Sequence, residues 1–115
     1  MKILVVDDDV AVRIVASEML KRLEFVVDSV ASGKEALSKL TEQEYAAIFL
    51  DVGMPVMSGV EVYAKIRDNL PLQKIVFMTG YSEEEIGDLD NPNTWILPKP
   101  FSLVGLTEAV ESIFP

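Results

Sequence analysis

The stretch Ile3-Leu4-Val5-Val6-Asp7-Asp8-Asp9 decides the fold, because an apolar run passes without a break into three carboxylates. A strand that is apolar at every position is buried on both faces, as in a parallel sheet covered by helices. Apolar residues at helical spacing follow over residues 12–23, with Val15 and Ala16 on the inward stripe. The carboxylates therefore lie where a buried strand emerges, and their mutual repulsion requires a reason.

The rest of the chain repeats this alternation of strand and helix. Further apolar runs predict strands at residues 25–31, 45–50, 75–78 and 95–97. The later helices are predicted to begin after Ser32, Ser58, Ser82 and Ser102. The first three of these serines open Ser-x-x-Glu capping boxes. Five strands alternating with five helices predict an α/β fold, with a parallel sheet covered on both faces. The 115 residues suit one domain, residues 1–115.

Composition excludes several classes of function. The formal net charge of −9 argues against a nucleic-acid-binding face on this chain and against an anionic membrane surface. No apolar run approaches the roughly 18–20 residues that span a bilayer. The absence of cysteine excludes disulfides and thiol chemistry and fits a cytoplasmic location, and the absence of histidine removes the commonest zinc ligand.

Polar residues follow four of the predicted strands. Asp7 and Asp8 follow the first, Asp51 the third, Thr79 the fourth and Lys99 the fifth. Each alone has an ordinary explanation as a cap, turn or loop residue, but the carboxyl ends of parallel strands meet at one edge. Carboxylates about 5 Å apart repel by roughly 3 kcal/mol at an effective dielectric near 20, and Mg²⁺ would offset that. A metal, a lysine and a hydroxyl around Asp51 are what an acyl-phosphate needs.

The stretches ILVVDDD, FLDVGMPVMSG, IVFMTGYS and LPKPF, in this order, resemble the receiver domain of two-component response regulators. The resemblance covers essentially the whole chain. It implies a flavodoxin-like, doubly wound sheet of five strands in the order 2-1-3-4-5. It also implies a signalling phosphoacceptor that catalyses only its own phosphorylation and dephosphorylation. FMTGYS and LPKPFSL further resemble receivers attached to hybrid histidine kinases.

The resemblance assigns a role to each residue at the predicted edge. Asp51 would accept the phosphoryl group from a phosphohistidine on a sensor histidine kinase or a histidine phosphotransfer domain. Asp8, Asp51 and the backbone carbonyl of Gly53 would ligate Mg²⁺ directly, and Asp7 would hold it through water. Lys99 would pair with one phosphoryl oxygen and Thr79 would donate to another.

The chain departs from the family pattern at three positions. Ile96 stands where the family usually has an aromatic residue that couples phosphorylation to the distal face. Its neighbour Trp95 should point to the opposite face, so we expect the switch of Thr79 and Ile96 to work by packing. Gly53 places no side chain over the phosphoryl group, which predicts a short-lived phosphorylated state. Glu24 replaces the usual glycine after the first helix, at a cost on the order of 1 kcal/mol if it is left-handed.

A docking surface for the donor is predicted beside the acidic edge. Ile14 falls opposite the core stripe of the first helix, where a donor helix would approach Asp51. The predicted surface comprises Val10, Ala11 and Ile14 with the loop residues Pro55, Val56 and Met57. A homodimer through the face of the last two strands and helices is a further expectation.

Two alternatives from other classes compete with the receiver interpretation. A haloacid-dehalogenase-like phosphatase would use Asp7 as nucleophile and Asp9 as acid, but it leaves Asp51 without a role. A flavodoxin-like nucleotide binder would need a glycine-rich phosphate cradle, and carboxylates in the first loop would repel phosphate.

Overall fold

The computed structural model describes residues 1–80 and 91–115. The strands are β1 (Lys2–Val6), β2 (Val26–Val30), β3 (Ala47–Asp51), β4 (Ile75–Thr79) and β5 (Thr94–Pro98). The helices in these ranges are α1 (Val10–Arg22), α2 (Gly33–Glu42), α3 (Gly59–Asn69) and α4 (Leu103–Ile113). The helix predicted to begin at Ser82 lies outside the described residues.

The five strands form one parallel sheet in the order β2-β1-β3-β4-β5, which confirms the predicted topology. The chain order reverses between β1 and β3, and ligands of open α/β sheets bind at such a switch point. Val6 pairs with Leu50 across these two strands. The register therefore brings Asp7, which follows β1, beside Asp51, which ends β3.

Two separate hydrophobic cores lie on the two faces of the sheet. One contains Leu4, Val6, Leu50 and Phe77 from the strands, with side chains from α2 and α3. The other contains the alternating strand residues, such as Val5 and Met78, with side chains from α1 and α4. The central strands β3 and β4 are buried at every residue, which explains their unbroken apolar sequence.

The helices begin where their capping residues predict. The Oδ1 atom of Asp9 accepts from the backbone N–H of Ala11 at 2.9 Å and so caps α1. Ser32, Ser58 and Ser102 cap α2, α3 and α4 in the same way. The prediction for Val15 is wrong: its side chain is 45% exposed, because Ala16 and Leu20 supply the buried face of α1.

Two non-glycine residues adopt the left-handed conformation. Glu24, with φ of 72°, follows α1, so the condition under which a cost was expected at this position is met. Val56, with φ of 66°, lies in the loop between β3 and α3 and is fully exposed. A β-branched residue in this conformation is strained, and such strain concentrates at functional sites.

None of the helices within the described ranges is both long and apolar enough to cross a bilayer.

Candidate functional site

Asp7 is fully buried and each of its polar groups is hydrogen bonded. Its N–H donates to the carbonyl of Val30 at 3.2 Å. Its Oδ1 accepts from the N–H of Asp9 at 2.9 Å, and its Oδ2 accepts from Lys99 Nζ at 2.8 Å. Its carbonyl accepts from Nη1 of Arg13 at 2.7 Å. The loop between β1 and α1 is therefore held from four directions at this residue.

Lys99 joins the two buried carboxylates. Its Nζ lies 3.0 Å from Oδ1 of Asp51, which is 7% exposed, as well as 2.8 Å from Oδ2 of Asp7. Its backbone N–H donates to the carbonyl of Thr79 at 2.7 Å, so the end of β4 anchors the lysine. The Lys99–Pro100 peptide bond is cis. The structure thus brings together the predicted Asp7, Asp51, Thr79 and Lys99.

Burial and the contacts with Lys99 shift the pKa values of this pair in competing directions. Desolvation raises the pKa of the Asp51 carboxyl above its ordinary value, the hydrogen bond from Lys99 opposes this, and the charge of Asp7 adds to it. For Lys99, burial alone would lower the pKa, but its hydrogen bonds to Asp7 and Asp51 outweigh that and raise it. Lys99 is therefore a protonated cation in direct contact with Asp51.

Three carboxylates could hold a metal ion. One oxygen from each of Asp7, Asp8 and Asp51 lies within 4.8 Å of the others. Asp8 is exposed, so the group is open to solvent on one side, and the N–H of Gly53 lies 3.4 Å from Oδ1 of Asp51. Mg²⁺ prefers carboxylate and carbonyl oxygens and retains several waters, which suits an open site of this composition. The residues present therefore fit Mg²⁺.

The residues predicted to transmit a switch lie on the neighbouring strands β4 and β5, and strand alternation places both on the α2 and α3 face of the sheet. Thr79 is 2% exposed at the end of β4. Ile96 packs against the core on the α2 and α3 face, whereas Trp95 packs against the opposite core, as strand alternation predicted. The ring centroid of Tyr63 in α3 lies 5.2 Å from that of Phe77 on the Ile96 side. The aromatic side chains beside Ile96 on this face thus come from α3 and β4 instead of from position 96.

Most of the predicted docking surface is exposed. Val10 and Ile14 are each 58% exposed, and Pro55 and Val56 are also exposed. Met57 is half-buried, because it packs against the core on the α2 and α3 face. Beside the exposed part of α1 lies a mainly apolar cavity of about 370 Å³, lined by Ala11, Val12, Val15, Lys99, Pro100 and Phe101.

Arg13 and Phe101 were not among the predicted site residues. A signal for Arg13 does exist in the sequence, because side chains in a helix lean towards its N-terminus and this arginine is in the first turn of α1. No signal identifies Phe101, because only the folded chain places the segment after β5 against α1.

Residues 3–111 match the family described as the response regulator receiver domain. This chain is a response regulator receiver domain. The match spans nearly the whole sequence and includes every strand and helix that carries a site residue.

Several curated relatives of this receiver domain are longer proteins. The chain is 36% identical to response regulator MprA of Mycolicibacterium vanbaalenii over 97% of its own length and 49% of that regulator. It is 34% identical to hybrid signal transduction histidine kinase L of Dictyostelium discoideum over 96% of its length, but spans only 7% of that kinase. The chain therefore corresponds to about half of the regulator and to a small part of the kinase.

Solved structures share both the fold and the sequence pattern. The response regulator TrrA of Thermotoga maritima in complex with Mg²⁺-BeF is 33% identical, with 98% of each chain covered and a TM-score of 0.87. A structure of TrrA in complex with the histidine kinase ThkA matches at 32% identity over 99% of this chain and 98% of that chain, with a TM-score of 0.85.

The phosphatase alternative has no support. The family match is to receivers, and the carboxylate of Asp9, its proposed acid, caps α1. Asp51, which that alternative left without a role, instead shares Lys99 with Asp7.

Proposed function

We propose that Asp51 accepts a phosphoryl group from a phosphohistidine on a sensor histidine kinase or a histidine phosphotransfer domain. The contact of Lys99 Nζ with both Asp7 and Asp51, beside three carboxylates that fit Mg²⁺, is the observation that carries the proposal. The chain has no histidine, so the donor histidine belongs to another domain. We take residues 1–115 as one domain, and the lack of cysteine supports a cytoplasmic location.

The chemistry is a phosphoryl transfer with Asp51 as nucleophile. One carboxylate oxygen of Asp51 forms the new bond to phosphorus as the bond between phosphorus and the donor nitrogen breaks, and the imidazole leaves. Mg²⁺, held by Asp8, Asp51 and the carbonyl of Gly53, with Asp7 acting through water, would neutralise charge on the phosphoryl oxygens. Lys99 is already cationic and pairs with one of those oxygens. The domain acts on itself only and has no other substrate.

The phosphorylated state is sensed at the end of β4. The hydroxyl of Thr79 donates to a phosphoryl oxygen, and Ile96 on the neighbouring strand follows by repacking on the α2 and α3 face. Repacking of a bistable core can change the surface that partners recognise. Pairing of two copies through the face of β4, β5 and α4 is the expected form of that change.

Acetyl phosphate tests the site without any partner. Incubation with Mg²⁺ and acetyl phosphate, followed by intact-mass measurement, should add one phosphoryl group to the wild type and none to Asp51→Asn. Asp7→Asn and removal of Mg²⁺ with a chelator should each reduce the yield. An adduct that persists in Asp51→Asn would overturn the assignment, and steady turnover of phosphomonoesters dependent on Asp7 would favour the phosphatase.

The donor is proposed to dock on Val10, Ala11 and Ile14 and on the loop of Pro55, Val56 and Met57. Exposed apolar side chains beside a buried, charged site support this surface. Transfer from a phosphorylated histidine phosphotransfer domain should slow in Ile14→Asp and stay normal in Val26→Asp, a control of equal exposure on β2. Normal transfer in Ile14→Asp would exclude the proposed surface.

A further inference from the structure

We propose that Arg13 is a positioning residue that fixes the loop carrying Asp7 and Asp8 for metal binding. The inference rests on the proposed function, since it concerns the same site. Arg13 extends from the first turn of α1, and its Nη1 donates to the backbone carbonyl of Asp7 at 2.7 Å. It does not touch the carboxylates in this contact, so its action on the metal would pass through the backbone.

The clamped carbonyl belongs to the peptide bond that joins Asp7 to Asp8. A peptide unit is planar, so holding this oxygen also fixes the direction in which the backbone of Asp8 leaves it. Asp7 is held in place without Arg13, because its N–H and both carboxylate oxygens are already hydrogen bonded to Val30, Asp9 and Lys99. The side chain of Asp8 is exposed and depends on the direction of its backbone. Arg13 therefore acts mainly on Asp8.

Loss of this donor should disturb the loop that carries Asp7 and Asp8, because Asp7 is fully buried. Methionine at position 13 offers no donor, so a carbonyl that loses its arginine must turn towards another donor or accept from mobile water in place of the fixed guanidinium. Either response releases the peptide between Asp7 and Asp8 from the direction in which Arg13 holds it. The oxygen of Asp8 would then leave the arrangement in which three carboxylates lie within 4.8 Å.

The charge of Arg13 predicts the opposite effect on a metal ion. A cation in the first turn of a helix is disfavoured by the helix dipole, and beside a cation site it repels the bound ion. If Arg13 acted only through its charge, neutralising it should strengthen Mg²⁺ binding. If Arg13 acts through its hydrogen bond to the carbonyl of Asp7, losing that bond should weaken Mg²⁺ binding. The sign of the change separates positioning from simple electrostatics.

The test is Mg²⁺ titration of Arg13→Met and Arg13→Lys, followed by the NMR shifts of the Asp8 and Gly53 amides in proteins shown to be folded by circular dichroism. Arg13→Met should bind Mg²⁺ about tenfold more weakly, as for other residues that orient metal ligands, and Arg13→Lys should recover part of the loss. Arg22→Met is the matched control, because it removes the same charge from the exposed last turn of α1. It should leave the affinity unchanged.

Unchanged or tighter Mg²⁺ binding by Arg13→Met would overturn the inference, even if its thermal stability fell. Acetyl phosphate labelling of the wild type, run in parallel, separates this result from failure of the proposed function. A wild type that binds Mg²⁺ but takes no phosphoryl group would refute the proposed function and leave the role of Arg13 standing. A wild type without Mg²⁺-dependent shifts would refute both.

Discussion

Replacing Gly59 with alanine should strain the backbone of Asp51, the proposed phosphoacceptor. Gly59 begins α3, and its N–H donates to the carbonyl of Val52 at 3.0 Å, so the helix start lies against the end of β3. A Cβ atom added there would lie 2.1 Å from the carbonyl oxygen of Asp51 and 2.7 Å from the Cα of Val52. Both obstacles are backbone atoms, which no side-chain rotation can move.

The size of the effect follows from the overlap. Non-bonded heavy atoms pack at about 3.5 Å, so α3 and the end of β3 would have to separate by about 1 Å. Overpacking of this kind costs about 1–3 kcal/mol, and we expect the upper part of that range because backbone must move. The better helix propensity of alanine offsets less than about 1 kcal/mol of this loss in the free energy of unfolding. A net loss of about 2 kcal/mol should lower the melting temperature by roughly 8 °C.

Urea unfolding, followed by the fluorescence of the single tryptophan and by circular dichroism, measures the loss. Gly105→Ala is the matched control in the first turn of α4, because its Cβ would meet only the Ser102 hydroxyl oxygen, at an ordinary 3.5 Å. It should stabilise the domain by about 0.5–1 kcal/mol. If Gly59→Ala were as stable as the wild type, the close approach of α3 to β3 would be refuted.

Three further substitutions test separate features. Glu24→Gly should stabilise the domain by about 0.5–1 kcal/mol, because glycine adopts φ of 72° without strain; an unchanged urea midpoint would contradict this. Gly53→Asn should lengthen the half-life of the phosphorylated protein severalfold by shielding Asp51 from water, and an equal or shorter half-life would refute the shielding. The hydroxyl of Tyr45 donates to Asp28 at 2.6 Å and is the main cause that holds the pKa of that carboxyl below its ordinary value. This stabilisation is present above the ordinary pKa and is lost as pH falls through the lowered one. Tyr45→Phe should therefore cost about 1 kcal/mol at pH 7 and clearly less at pH 2.5, and a pH-independent cost would contradict the linkage.

The sheet was predictable because the central strands β3 and β4 are apolar at every residue before their polar last ones, Asp51 and Thr79. Such runs identify strands buried on both faces, and the alternation with helices then leaves few topologies. The edge strand β2 was predicted too long, at residues 25–31 instead of Val26–Val30. Only Val30 among its five residues is buried, so its pattern carries less information about where pairing stops.

The site was predictable to the extent that it depends on strand ends. Asp7, Asp51, Thr79 and Lys99 each follow or end a strand, and parallel strands end at one edge. The contact of Arg13 with a backbone carbonyl depends on how a long side chain folds back over a loop, which spacing alone does not report. The left-handed Val56 was also missed, because a β-branched residue is among the last that sequence reasoning would assign to that conformation.

The register of the sheet has a consequence for how the domain can be retuned. Asp51 pairs with Met78 and Thr79 pairs with Pro98, so the separation of these two proposed site residues is set by the same ladders that align the two cores. A slip of one residue would turn every side chain of a strand to the other face and dismantle both cores. The hydrogen-bond register that holds the two cores together therefore also fixes the positions of Asp51 and Thr79. We therefore expect loop positions such as Gly53 to be the places where substitutions change signal duration without altering the scaffold.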